Sequence, residues 1–226
     1  MQDYSAKPEI YFDNVRREIA ELLPQHSPRV LEVGCGSGAT LEWLKRDGYC
    51  GYAVGLELFE AAAEIARERL DQVVVGNAEQ VIDRSFDAAS FDLVLCLDVL
   101  EHLVDPWTFV GKLERLLKPG GTLIGSIPNV RHLRVVLPLL LAGRWRYEAS
   151  GILDRTHLRF FTKDSALELM SPRGLRVTRW LRRMPPAATS RRNDHRAGRP
   201  GDRPPVHRPA TAAPRSDRRP CPTPPA

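Results

Sequence analysis

Residues 29–38 read Arg29-Val30-Leu31-Glu32-Val33-Gly34-Cys35-Gly36-Ser37-Gly38, a largely apolar run that ends in three glycines at alternate positions. Residues 29–33 predict a buried strand. The glycines predict a sharp turn, because they take left-handed backbone angles at no steric cost and let a ligand approach the main chain. A helical pattern resumes at residues 40–46, so the turn opens onto a helix N-terminus, whose first N–H groups have no partner within the helix.

Outward from this turn, strands and helices alternate. Residues 9–23 carry Ile10, Val15, Ile19, Leu22 and Leu23 among charges and predict an amphipathic helix closed by Pro24. Residues 52–57 predict a second strand, and residues 59–70 a helix with Ile65 and Leu70 turned inward. Residues 72–75 read as a strand, and residues 91–97 as the most apolar one in the chain. Residues 107–117 predict a helix stopped by Pro119-Gly120-Gly121, and residues 122–127 a fifth strand. This order predicts βαβ crossovers and an α/β fold: a Rossmann-like, doubly wound, mostly parallel sheet covered on both faces. Further on, residues 133–141 predict a short apolar helix bent near Pro138. Thr162-Lys163-Asp164 begins another over residues 165–170, and residues 174–181 predict a last strand.

The glycine turn admits two cofactors. Gly34-Cys35-Gly36-Ser37-Gly38-Ala39 satisfies the dinucleotide pattern GxGxxG/A, and Glu57 stands about 20 residues on, where a ribose-binding acid is expected. A turn of purely structural purpose is the third reading. Glu32 separates them, because a buried carboxylate beside a pyrophosphate would repel it. S-adenosylmethionine (SAM) carries no phosphate, and its ammonium and sulfonium are cations that a carboxylate stabilises directly or through water. The sign of that interaction favours SAM over a nicotinamide dinucleotide.

Over residues 28–181 the chain resembles the class I SAM-dependent methyltransferases. Residues 30–38 are similar to the family's first motif, and Glu57 to the acid that accepts hydrogen bonds from the ribose hydroxyls. Asn77-Ala78-Glu79 resembles the segment that holds the adenine, with a neutral amide where the family more often has Asp. Residues 91–103 resemble the fourth strand and the loop below the methyl group, and Leu116-Leu117-Lys118-Pro119-Gly120-Gly121 the turn before strand five. The resemblance implies SAM as cofactor, held by Glu32, Gly34, Cys35, Gly36, Gly38, Glu57, Leu58, Asn77, Ala78, Leu97 and Asp98. It also implies a sixth strand, for which residues 174–181 can serve, and a seventh that nothing after Met184 resembles.

Methyl transfer is an in-line displacement, so the protein's task is to align acceptor, methyl and sulfur in a dry site. An oxygen acceptor also invites a general base. His102, His157, Asp98 and Asp154 are available, and the two histidines are the catalytic candidates. His102 either acts as that base or caps the short helix at residues 100–103. Residues 154–162, Asp-Arg-Thr-His-Leu-Arg-Phe-Phe-Thr, form either part of the acceptor site or an ion-pair and aromatic staple over it. Asn129, Arg131, His132 and residues 133–141 are candidates for a lid or acceptor wall. Leu97-Asp98-Val99-Leu100 lacks the Pro-Pro-aromatic signature of base-modifying relatives, and no basic patch is interleaved with aromatics, so nucleic acid is not expected. The expected acceptor is a small-molecule hydroxyl on a sugar, lipid precursor or secondary metabolite. A truncated or non-catalytic SAM-binding protein is the alternative of a different class.

Composition splits the chain. The net charge is +5, yet residues 179–226 hold twelve Arg against three acids, which leaves residues 1–178 at −4. Residues 1–183 are expected to form the methyltransferase domain. Residues 184–226 hold eleven of the nineteen prolines and almost no large apolar residue, so they are expected to be a disordered Arg/Pro-rich tail. Such an abrupt change would also follow from a frameshift in a GC-rich gene. Four cysteines without CxxC or Cys/His spacing predict neither disulfides nor a metal, and a reducing, cytoplasmic setting. Neither a signal peptide nor a transmembrane segment is expected.

Overall fold

The computed structural model describes residues 14–182. Its strands are β1 (Ser27–Val33), β2 (Cys50–Glu57), β3 (Gln72–Val75), β4 (Phe91–Leu97) and β5 (Leu117–Ser126). Its α-helices are α1 (Ala39–Arg46), α2 (Glu60–Arg69), α3 (Ala78–Ser85), α4 (Pro106–Leu116), α5 (Leu133–Ala142) and α6 (Lys163–Leu169). The sheet runs β3-β2-β1-β4-β5 with every neighbouring pair parallel, the doubly wound order expected. The winding reverses between β1 and β4, and ligands of open α/β sheets bind beyond the strand ends at that reversal.

Alternation along each central strand divides the core into two layers. Leu31, Val33, Val54, Leu56, Val94 and Cys96 face the side covered by Ile82 of α3, by Phe109, Val110, Leu113 and Leu116 of α4 and by Leu169 of α6. Val30, Ala53, Leu93, Leu95 and Leu97 face Leu41, Trp43 and Leu44 of α1 and Ala66 of α2. Helix starts are set by local side chains: Asp105 accepts from Thr108 N–H ahead of Pro106, and Thr162 and Ser165 form a reciprocal cap on α6.

Several boundaries differ from expectation. Of residues 9–23, only 14–23 are described, and they contain a 3-10 turn, Arg17–Leu22, rather than an amphipathic α-helix. Ile19 is its sole buried residue. Ile65 is 44% exposed; α2 buries Ala62, Ala63 and Ala66 instead, which lets it lie close to the sheet. β5 starts at Leu117, five residues early, with an irregular register opposite Phe91 and Leu93 that absorbs Pro119-Gly120-Gly121. Helix α3 was not foreseen. Residues 174–181 form no strand: Leu175 packs on the core, but no ladder forms, so the alternating pattern there has no partner edge. Among the described residues no helix is long and apolar enough to cross a membrane. The expected tail, residues 184–226, lies outside the described residues.

Candidate active site

The glycine turn follows β1 at the reversal. Gly34, Gly36 and Gly38 all have positive φ (70°, 55° and 80°), which accounts for glycine at each. Gly34 N–H donates to Leu56 O at 2.7 Å, and Gly38 N–H to Cys35 O at 2.9 Å. A Cβ at Gly34 would lie 2.7 Å from Val99 Cγ2, so the turn is packed against the loop after β4. Cys35 points inward, where an added Cβ on Gly55 would meet its sulfur at 2.5 Å. Burial pushes its thiol well above the usual range.

Glu32 occupies the penultimate position of β1, opposite Gly55 on β2 and Leu95 on β4. It is 3% exposed, and its Oε2 has no hydrogen-bond partner among the described residues. Burial pushes its carboxyl up to about 8; Arg16 opposes that rise and Glu57 adds to it. An acid in this state stabilises a cation that arrives and disfavours an anion.

Glu57, at the end of β2, does not reach into solvent. Its Oε2 accepts from Gly36 N–H at 2.8 Å, and its Oε1 from Leu58 N–H at 2.8 Å and Phe59 N–H at 3.0 Å. Burial raises its carboxyl and these three N–H groups hold it down. The side chain therefore ties the glycine turn to the start of α2. Ionised carboxylate oxygens offer about four acceptor positions, so one remains for a ligand hydroxyl. Leu58 is 47% exposed beside it. Asn77 caps α3, its Oδ1 accepting from Glu79 N–H at 2.9 Å, which leaves its amide N–H groups to donate outward. Ala78 begins that helix.

Asp98 follows Leu97 at the end of β4 with φ +55°, unusual for a residue with a side chain. Its oxygens accept from Ser126 Oγ at 2.6 Å and pair with Arg16 at 2.9 Å. Arg16 also donates to Ser126 Oγ at 3.1 Å, so one buried guanidinium joins the ends of β4 and β5, while its main-chain N–H donates to Thr40 Oγ1 of α1 at 3.3 Å. Sequence reasoning missed Arg16, one charge among many in a helical-looking stretch.

Beyond β4 a 3-10 turn, Leu100–His102, is clasped by residues 152–161. Leu158 N–H and Arg159 N–H both donate to Glu101 O, at 2.8 and 3.0 Å. His102 Nδ1 meets Thr156 O, and His157 Nδ1 meets Ile152 O, each at 3.0 Å. The two rings stack edge to face, 4.7 Å apart. Asp154 is buried and committed to Thr156, whose N–H and Oγ1 it accepts at 2.9 and 2.8 Å. Sequence reasoning missed Glu101, which is 1% exposed and lies 3.9 Å from His157 Nε2.

The aromatics of this segment form a cluster. Phe160 packs edge-on against Trp145 at 5.2 Å, and Phe161 sits 6.3 Å from Trp107. Val130 N–H donates to Phe161 O, which brings residues 129–132 against it. An open concavity of about 510 Å³ is lined by Tyr147, Arg155, His157, Leu158 and Phe160. On α5, Leu133, Leu137, Leu140 and Leu141 are exposed.

Residues 8–179 match the model of a methyltransferase domain. Among curated proteins, the chain is 37% identical over 166 residues to a ubiquinone biosynthesis O-methyltransferase of Maricaulis maris, covering 67% of this chain and 63% of that one. It is 37% identical over 160 residues to its counterpart in Alkalilimnicola ehrlichii, covering 65% and 63%. The chain thus spans less than two thirds of the length of these relatives. A Thermotoga maritima structure, described as a SAM-dependent methyltransferase and possible histamine N-methyltransferase, aligns with a TM-score of 0.52 at 27% identity, covering 68% of this chain and 66% of that one. A SAM-dependent methyltransferase of Archaeoglobus fulgidus shares the fold at 0.56 and 21%, covering 75% and 73%.

Proposed function

The chain belongs to the class I SAM-dependent methyltransferase family, and we propose that it moves a methyl group from SAM to a hydroxyl oxygen of a small, largely apolar acceptor. The observation that carries this reading is Glu32, a buried carboxylate with an unpartnered oxygen beneath the glycine turn. That donor set suits a ligand with an ammonium group and opposes a pyrophosphate. Bound SAM supplies a methyl group on a cationic sulfur.

The chain's own residues bind and orient. Glu32 takes the ammonium, and Gly34, Gly36 and Gly38 let the main chain approach. The remaining acceptor position of Glu57 takes a ribose hydroxyl. Leu58, Ala78 and the outward amide of Asn77 border the base, and Leu97 and Asp98 underlie the reacting end. For the acceptor, Phe160, Tyr147 and the exposed leucines of α5 offer apolar surface. The oxygen preference rests on the names of the two curated relatives and on the histidine pair. A carbonyl only accepts, so each Nδ1 carries the proton, and base chemistry by either ring would run through Nε2. Either imidazole can take a hydroxyl proton there.

Transfer of radiolabelled methyl from SAM to a panel of phenolic, catecholic and sugar hydroxyls tests this. Label on the oxygen of an aromatic or lipid-like acceptor is expected. Calorimetry showing micromolar NADH binding, with no response to S-adenosylhomocysteine, would reject the reading.

A further inference from the structure

A second, smaller concavity of about 220 Å³ lies between α5 and the chain that follows it. Gly143 ends α5 with a φ of +59°; its N–H donates to Leu139 O at 3.0 Å, and Arg144 N–H to Pro138 O at 3.1 Å. Farther along, Glu148 is fixed through its main chain: its N–H donates to Leu153 O at 2.8 Å and its carbonyl accepts from Arg155 N–H at 3.0 Å. Arg134 from the helix thereby shares the concavity with Arg144 and Arg146 from the returning chain, around buried Val135 and Leu153. Glu148 is the one acid in the lining. Among the described residues, none of these three guanidiniums forms an ion pair or a side-chain hydrogen bond. Like charges gathered on one concave, partly apolar wall repel each other and focus a positive field into the space between them. A guanidinium also presents a planar fork of donors that matches carboxylate and phosphate oxygens. The volume falls below the roughly 300–1,000 Å³ of a site for a whole drug-sized ligand, so it suits one group of a ligand.

We propose that Arg134, Arg144 and Arg146 form a subsite for an oxyanion, a phosphate or a carboxylate, carried by the methyl acceptor. Three guanidiniums against the Glu148 carboxylate leave two positive charges, which suits a phosphate monoester of about −1.5 to −2 at neutral pH. Alternation along the chain puts Arg146 and Glu148 in this concavity and Tyr147 in the larger one, where His157 and Phe160 also stand, so residues 144–148 wall both. The hollow receives a discrete group, whereas a bilayer surface calls for a flat or convex basic face. The subsite gives the largely apolar acceptor one charged end and a means of selection among hydroxyl compounds. Assigning the anion to an acceptor rests on the methyltransferase reading; the anion site itself does not.

The test titrates phenyl phosphate, inorganic phosphate and S-adenosylhomocysteine separately into the full chain by calorimetry. Because residues 179–226 hold twelve further Arg, the comparison between variants is what counts. Affinity for phenyl phosphate should fall at least about tenfold when Arg144→Gln and Arg146→Gln are combined, the scale of lost charged hydrogen bonds. Both positions are exposed, and circular dichroism checks that the variant folds. Combining Arg67→Gln with Arg84→Gln removes the same charge elsewhere and should change affinity less than about twofold at physiological salt. Phenyl phosphate should bind at least about fivefold tighter than inorganic phosphate, because its ring buries apolar surface. Equal affinity for the two assigns the site to free phosphate and overturns the acceptor assignment. No phenyl phosphate binding, or equal loss in both double variants, overturns the subsite. Sedimentation with phosphatidylglycerol vesicles, without phenyl phosphate binding, also overturns it and makes the arginines a lipid contact. S-adenosylhomocysteine binding without phenyl phosphate binding rejects the subsite and leaves the methyltransferase reading intact; the reverse result does the opposite.

Discussion

Glu32 and Glu57 are both buried acids in the strands below the glycine turn, and their surroundings give them different work. Glu32 keeps an unpartnered oxygen, and burial lifts its carboxyl to about 8. The native state therefore holds this proton more tightly than the unfolded chain. The corresponding stability is full below the unfolded value near 4.5 and is lost as pH rises toward 8. A bound ammonium favours the carboxylate, so SAM affinity should rise with pH through the same window, with proton release on binding. Calorimetry at several pH values in two buffers measures both. Glu32→Gln should weaken binding and flatten the profile; a flat wild-type profile would remove Glu32 from the ammonium. Glu57 instead holds three backbone N–H groups. Glu57→Ala should destabilise the fold by roughly 2–4 kcal/mol, since buried donors lose an ionised acceptor. Urea midpoints report this, and an unchanged midpoint would show that the turn does not rely on Glu57.

At the scale of elements, the turn between β1 and α1 and the loop after β4 form one packed unit. Gly34→Ala places a methyl 2.7 Å from Val99 Cγ2 at a φ of +70°. The substitution combines a clash with backbone strain of about 1–2 kcal/mol. Adding Val99→Ala should relieve the clash and leave the strain, so the double variant should recover part of the lost stability and cofactor affinity. Strictly additive effects in that cycle would show that the two loops are independent. The element boundaries teach the same lesson. The α6 start was legible because its cap is local, at Thr162 and Ser165. Residues 174–181 alternate as a strand should, yet a strand exists only where another edge accepts it. Ile65 was misplaced because a row of alanines on α2 brings its other face closer to the sheet.

For the whole molecule, the glycine turn, the β4 end and Arg16 meet at one end of the sheet, so ligand binding there should stabilise the domain as a unit. S-adenosylhomocysteine at 100 times its dissociation constant should add about 2.7 kcal/mol, raising Tm by about 5–10 °C for a domain of this size. NADH at equal concentration should leave Tm unchanged. Differential scanning calorimetry makes the comparison, and a shift with NADH alone would point to a dinucleotide site. The polar groups joined there come from distant parts of the chain: Arg16, Thr40, Asp98 and Ser126.

The sequence alone determined the strand-turn-helix order, the parallel sheet and the acid beneath the glycine turn. Those features rest on periodicity, glycine geometry and neighbouring residues, all local properties of the chain. Tertiary structure decided the rest. Glu57 bends back onto Gly36 because β1 and β2 are in register there. Arg16 reaches Asp98, and Glu101 meets His157, because parallel crossovers return distant segments to the same strand ends. Such meetings depend on how helices pack and where strands end, and no local pattern encodes a contact across fifty or eighty residues.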